Sequence, residues 1–254
     1  MKTIGLILSY NNPEMTDRLV ENIKQTFASS FEYIVLDNGS ESDKISQYTT
    51  DYLPINIRMT RGFNSGIDII NEKHPDYDNI WFFTNDCFFY QAQYCPLEIS
   101  EQFLKKYPDI GILHPSESNE VQVCFDVHHD EKIQGAKIIE EYDFVCPIIT
   151  RKALEIMGGK FDDKLYHGWG IDYESSYLVR KAGMVVAINH LLQIGHNTSS
   201  TYDKKRDNMY ANRTEFYNSA LNEMRDVLKH KYGIDWHNTF INTFNENHGV
   251  ILTL

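Results

Sequence analysis

Up to Asp86 the chain alternates between short apolar runs and amphipathic stretches, and the apolar runs stop at polar turns. Residues 3–9 are β-branched and leucine-rich, the pattern of a buried parallel strand. A polar turn at 10–13 leads into a predicted helix over 14–27, where Met15, Leu19, Ile23 and Phe27 repeat every fourth residue and give one apolar face. Residues 31–36 read as a second strand ending in Asp37-Asn38-Gly39-Ser40. A short helix is predicted over 43–52 and a third strand over 55–59. Residues 61–66 then read as a loop entering a helix that runs to about 72, and the apolar strand 79–84 stops at Asn85-Asp86. This β-α-β-α-β-α-β order predicts an α/β fold with a parallel, doubly wound sheet and a ligand at the carboxyl ends of its strands.

Beyond Asp86 the pattern changes. Helices are predicted over 97–107, 151–157, 172–182 and 212–232, with Gly158-Gly159 and Gly183 closing the second and third. Strands are predicted over 110–114, 144–150 and 184–189. Residues 115–137 are polar and irregular, 201–208 read as a polar loop, and the tail from Gly233 has no clear pattern. A chain of 254 residues fits one large domain with a short appendage, divided here as 1–225 and 226–254.

Composition narrows the function classes. With 42% apolar residues, 16 Tyr and 14 Phe, the core can be large. No run of eighteen apolar residues exists, and the apolar start at 4–8 is too short for a signal peptide. Cys87, Cys95, Cys124 and Cys146 form no Cys-x-x-Cys pair, so they read as buried small side chains in a reducing, cytoplasmic compartment. A net charge of -12 repels nucleic acid and anionic membranes at long range.

The chemistry collects after the strands. Ser9-Tyr10-Asn11, Asp37-Asn38, Arg61 to Asn64 and Thr84-Asn85-Asp86 all follow predicted parallel strands, so they share one sheet edge and can converge on one ligand. Asp86 closes an apolar strand; it is either a turn aspartate or the ligand of a divalent cation that also takes a diphosphate. Asp172 and Glu174 open a helix just after the glycine-flanked Trp169. There the helix dipole favours ionised carboxylates, which can cap the helix or accept a proton from a hydroxyl. His196 is a candidate metal ligand or an ordinary core imidazole. The stretch 201–213, with Lys204, Lys205, Arg206, Tyr210 and Arg213, is a basic anion site or a solvated loop.

In order, these segments resemble glycosyltransferase family 2 and its rhamnosyltransferase-like relatives, which have the GT-A fold with a Rossmann-like, mostly parallel sheet. The likeness covers about residues 1–217. Residues 4–11 resemble the opening strand and its nucleotide-contacting turn, and 33–40 the strand whose terminal Asp meets the base or ribose. Residues 61–66 resemble the Asn-x-Gly segment beside the donor. Thr84-Asn85-Asp86 stands where the family carries Asp-x-Asp, with Thr84 in place of the first acid. Residues 169–174 look like the acidic motif, with Ile171-Asp172 for its Glu-Asp pair, and Tyr210 to Arg213 is similar to a Tyr-x-x-Arg stretch.

The resemblance implies an inverting transfer from a nucleotide-diphosphate sugar, most commonly a UDP-sugar, with Mn2+ or Mg2+. Asp172 would be the general base and Asp86 and His196 the metal ligands. Ser9, Tyr10, Asn11, Asp37, Asn38, Arg61, Asn64, Thr84, Asn85 and Arg213 would contact the donor, and Trp169 and Glu174 the acceptor. The expected acceptor is a glycan or glycolipid, with a hydroxylated base in DNA as the alternative. A nucleotidyltransferase is disfavoured because the turn 9–13 has no glycine. A non-catalytic nucleotide-sugar or glycan binder remains the reading of a different class.

Overall fold

The computed structural model describes residues 1–90, 93–118, 126–197, 212–243 and 247–254. Cys124, Tyr210 and the basic loop 201–208 lie outside the described residues. Strand β1 (Thr3–Ser9) is central to the first half. It pairs in parallel with β2 (Glu32–Asp37) on one side and β4 (Asn79–Thr84) on the other, and β2 continues in parallel to the short β3 (Asp51–Tyr52). Helices cover both faces, so β1 and β4 need apolar side chains on both. Helix α1 (Pro13–Thr26) lays Leu19, Val20 and Ile23 against Ile7, Trp81 and Phe83. Helix α2 (Met59–Lys73) lays Phe63, Ile67 and Ile70 against Ile4, Leu6 and Phe82 on the other face.

The second half extends the sheet and mixes its direction. After β5 (Cys87–Phe89) and α3 (Pro96–Lys106) come β6 (Ile110–Glu117), β7 (Ala136–Ile139) and β8 (Ile148–Thr150). Helices α4 (Arg151–Ile156) and α5 (Ile171–Lys181) precede β9 (Val185–His196). Helices α6 (Arg213–Tyr232) and α7 (Trp236–Ile241) and strand β10 (Ile251–Leu252) complete the described elements. The strand order is β10–β7–β9–β6–β8–β4–β1–β2–β3, with β5 paired to β9. The long ladders, β1 with β2 and β4 and β6 with β9, are parallel; β8 runs antiparallel between β4 and β6. The C-terminal segment is woven into this body. Phe240 is fully buried and stacks on Tyr177 at 4.4 Å, Arg180 donates to the carbonyl of Phe240, and β10 pairs with β7.

Four expectations are corrected. Residues 43–50 form turns instead of a helix, and the third strand is β3 at 51–52, not 55–59. Residues 61–66 are not a loop but lie inside α2. Their glycines mark close packing: a Cβ on Gly66 would stand 2.5 Å from Leu6 Cδ1, so the helix reaches β1 only because the side chain is missing. Strand β9 also runs past the expected end at 189. Its pairing with β6 slips between Pro115 and Ser116 and then resumes, which carries the strand on to His196.

The aromatic centre of the α2 face makes a direct test. Phe82 is fully buried, with its ring 5.5 Å from Phe63, 5.6 Å from Phe144 and 5.4 Å from Phe161. Phe82→Ala should destabilise the fold by about 3–5 kcal/mol, read by chemical denaturation; a loss below about 1 kcal/mol would contradict this packing.

Candidate active site

The carboxyl ends of β1, β2 and β4 open into one cleft. Ser9 and Tyr10 line it from β1, Asn38 from the turn after β2, and Thr84 and Asn85 from the end of β4. Asn56, Arg58 and Met59 bring in the start of α2, and His167 and Phe216 close the far side. The rim is pinned by side chains. The Ser9 and Thr16 hydroxyls lie 2.8 Å apart, and Asn85 donates to Thr16 Oγ1 at 3.1 Å. Asn38 donates to Asn56 Oδ1 and to the Arg58 carbonyl and accepts from the Ile57 amide. Asp37 holds the turn by accepting from the amide and hydroxyl of Ser40, and Ser40 in turn accepts from the Asn11 amide. A helix N-terminus with a buried arginine beside it suits a phosphate. Arg58 fills that place with a positive φ of 73°. Sequence reading missed it inside the expected strand 55–59; the one signal was a charged residue in an otherwise strand-like run.

Five candidate donor residues do not line this cleft: Asn11 and Asp37 act through the turn contacts just described, and the other three lie elsewhere. Asn64 is spent within the fold: it donates to the Phe161 carbonyl and Asp163 and accepts from the Phe161 amide. Arg61 is exposed, with its guanidinium 5.0 Å above the Tyr166 ring centre, and Arg213 is the exposed first residue of α6.

Met59 and Thr84 also border a second cavity of about 410 Å³, lined by Asp143, Trp169, Asp172, Tyr173, His196 and Tyr217. Gly170 makes this wall: it takes φ 91° ahead of α5, and a Cβ there would lie 2.7 Å from Met224 Cγ. The turn leaves Trp169 half-buried, edge-on to Tyr217 at 4.7 Å, and puts Asp172 in the first turn of α5. The Tyr173 amide donates to Asp172 Oδ1 at 2.8 Å. The expectation that the helix end keeps Asp172 ionised is corrected for the metal-free protein. Burial, and then the neighbouring Asp143 charge, push its carboxyl up to about 8. Glu174 points elsewhere. Its carboxylate accepts from the Tyr232 hydroxyl at 2.6 Å and pairs with Lys231 at 2.6 Å, outside the Asp172 cavity, so it ties α5 to α6 and is not placed for an acceptor.

Asp86 and His196 meet across the turn between β4 and β5. His196 Nε2 lies 3.5 Å from Asp86 Oδ1, and the Asp86 carbonyl accepts from the Asn197 amide. Two further acids, which sequence reading did not single out, approach the same imidazole: one ligand atom each from Glu117, Asp143 and His196 lie within 4.8 Å of one another. Oxygen and imidazole donors of this kind fit Mn2+ or Mg2+. Without a cation, burial and the crowding of acids shift the protonation of the group. Burial pushes Glu117 up to about 8. Burial works to lower His196, and the carboxylates of Asp86, Asp143 and Glu117 outweigh it, raising the imidazole to about 9.

A pH dependence follows. Asp172, Glu117 and His196 all hold protons in the folded state that the unfolded chain gives up at lower pH. Their contribution is therefore complete below about pH 4 and is lost as pH rises toward 8 and 9. The metal-free protein should unfold at a lower temperature at pH 8 than at pH 5, with a shallower slope in Asp172→Asn. A Tm that rises across this range would contradict the buried acids.

The parallel unit β3–β2–β1–β4, the mixed extension and the site at its carboxyl edge define the GT-A fold of nucleotide-diphosphosugar transferases. Among solved structures, GalNAc-T7 in complex with UDP, GalNAc and Mn2+ superimposes with a TM-score of 0.60 at 13% identity, covering 77% of this chain and 44% of that one. TarS of S. aureus superimposes with a TM-score of 0.57 at 12% identity, covering 96% of this chain and 43% of that one. The chain thus spans less than half the length of either structure. No protein-family model matches the sequence, and neither does any curated protein. No helix among the described residues is long and apolar enough to cross a membrane.

Proposed function

We propose that the protein is a metal-dependent glycosyltransferase that moves a sugar from a nucleotide-diphosphate donor, a UDP-sugar first, to an acceptor hydroxyl of a glycan or glycolipid. The observation that supports this most is the junction of the two cavities. A cleft at the ends of β1, β2 and β4 shares Met59 and Thr84 with a chamber lined by Asp172 and His196. The nucleotide lies in the first, against Tyr10, Asn38 and Asn85, and Arg58 faces its phosphates. The sugar passes Thr84 into the second. Asp172 takes the proton of the acceptor hydroxyl as that oxygen bonds to the anomeric carbon, and the bond to the diphosphate oxygen breaks on the opposite face. A single displacement of this kind inverts the centre. Trp169 and Tyr217 offer ring surface to the apolar C–H groups of the acceptor.

A divalent metal held by Asp86 and His196 would neutralise the charge that builds on the leaving diphosphate. It would also offset the Asp143 charge that helps keep Asp172 protonated, bringing the base into range near neutral pH. Nucleotide sugars incubated with the protein and Mn2+ should release nucleoside diphosphate, faster with an acceptor glycan and not at all with a chelator. Tight UDP binding with no release from any donor would favour the non-catalytic binder.

A further inference from the structure

Glu117 is the last residue of β6, and its backbone is fixed on both sides: its amide donates to the Val127 carbonyl and its carbonyl accepts from the His129 amide, both at 2.8 Å. The side chain has no freedom to leave. It is fully buried, and neither carboxylate oxygen has a hydrogen-bond partner among the described residues. His196 Nδ1 is likewise buried and has no hydrogen-bond partner among the described residues. A buried carboxylate left unpaired costs several kcal/mol, and an acid with no hydrogen bond at all lacks the usual compensation. Both orphaned groups belong to the cluster in which Glu117, Asp143 and His196 place one ligand atom each within 4.8 Å of the others. Asp86 stands beside this group without being one of its three members, with its Oδ1 3.5 Å from His196 Nε2.

The geometry points to Glu117 as a ligand of a divalent-cation site, shared with Asp143 and His196, that fills before any nucleotide arrives. This rests on the reading of the protein as metal-dependent and goes beyond it in one respect. A site with a single carboxylate and an imidazole relies on the substrate's phosphates to complete the cation's shell, whereas one built on Glu117, Asp143 and His196, with Asp86 beside it, brings enough protein donors together to keep the ion without a nucleotide. The cation would then be a resident of the fold, and the diphosphate would replace water on it.

The test is a Mn2+ titration of the full chain in the absence of nucleotide, following free Mn2+ by electron paramagnetic resonance. Saturable binding of about one ion per chain is expected. Glu117→Gln should weaken it at least tenfold while leaving the metal-free fold as stable as wild type, because neither carboxylate oxygen has a hydrogen-bond partner among the described residues to lose. Asp143→Asn should weaken binding in the same way and serves if Glu117→Gln does not fold. Mn2+ bound only when UDP is present would overturn the inference and leave the transferase reading intact. Unchanged affinity in both variants would also overturn it. Tight nucleotide-free binding without turnover of any donor would instead sink the transferase reading and support the site.

Discussion

Asp172→Asn should leave UDP affinity within about twofold of wild type and lower turnover by about 10²–10⁴-fold, the usual contribution of a positioned general base. The substitution is nearly isosteric, and Asn keeps an oxygen for the Tyr173 amide that holds Asp172 in place. The start of α5 should therefore survive. What disappears is the one acid in the Asp172 cavity that sits in a helix's first turn and faces the space beyond Thr84. The pH profile separates chemistry from structure. In the metal-free protein this carboxyl stands at about 8, raised by burial and by Asp143. Activity at saturating Mn2+ should then rise with pH along a limb below that value, and the limb should vanish with the side chain's ionisation. Glu174→Gln provides the contrast: its partners Tyr232 and Lys231 are structural, so it should cost stability more than rate. Near-normal turnover in Asp172→Asn, with Glu174→Gln inactive, would reverse the assignment.

Local patterning made the first half of the fold legible. The strands 3–9 and 79–84 were visible because both faces are buried and the residues between their polar ends are apolar or glycine, and the observed β1 and β4 have those bounds. The same logic misread α2. Gly62 and Gly66 look like loop residues in one dimension, and only the approach of Leu8 to the first and Leu6 to the second explains them. Long-range features stayed hidden for a related reason. The extension of β9 to His196 depends on a register slip against β6, which leaves no local mark. Asp86 and Asp172 could be picked out because one follows a strand and the other opens a helix, and His196 because an imidazole there matches the family resemblance. Glu117, Asp143 and Arg58 could not: their neighbours in sequence look like ordinary strand and turn, and their meaning comes from what the sheet brings beside them. Asn64 and Glu174 are the converse, polar residues in plausible positions whose hydrogen bonds turn out to be used up inside the fold.

Asp86→Ala should abolish the Mn2+-dependent part of UDP binding, a loss of at least about 100-fold in affinity when Mn2+ is present, and stop transfer. Of the acids near His196, Asp86 follows Thr84 and Asn85, which line the first cleft, so in the proposed site its carboxylate would stand between the cation and the diphosphate. Removing it should separate two bindings that the wild type couples. The cation would still find Glu117, Asp143 and His196, but would no longer be held toward the phosphates. UDP affinity in the presence of a chelator should not change, because Asn38, Asn85 and Arg58 are untouched. The fold should hold as well: the turn is fixed by the Asp86 carbonyl and the Asn197 amide, which the substitution keeps, and β5 stays paired to β9. Calorimetric titration of UDP with and without Mn2+ reads both quantities at once. If Asp86→Ala binds UDP with an undiminished response to Mn2+, the ion does not sit between Asp86 and the diphosphate, and the displacement drawn through this site loses its support.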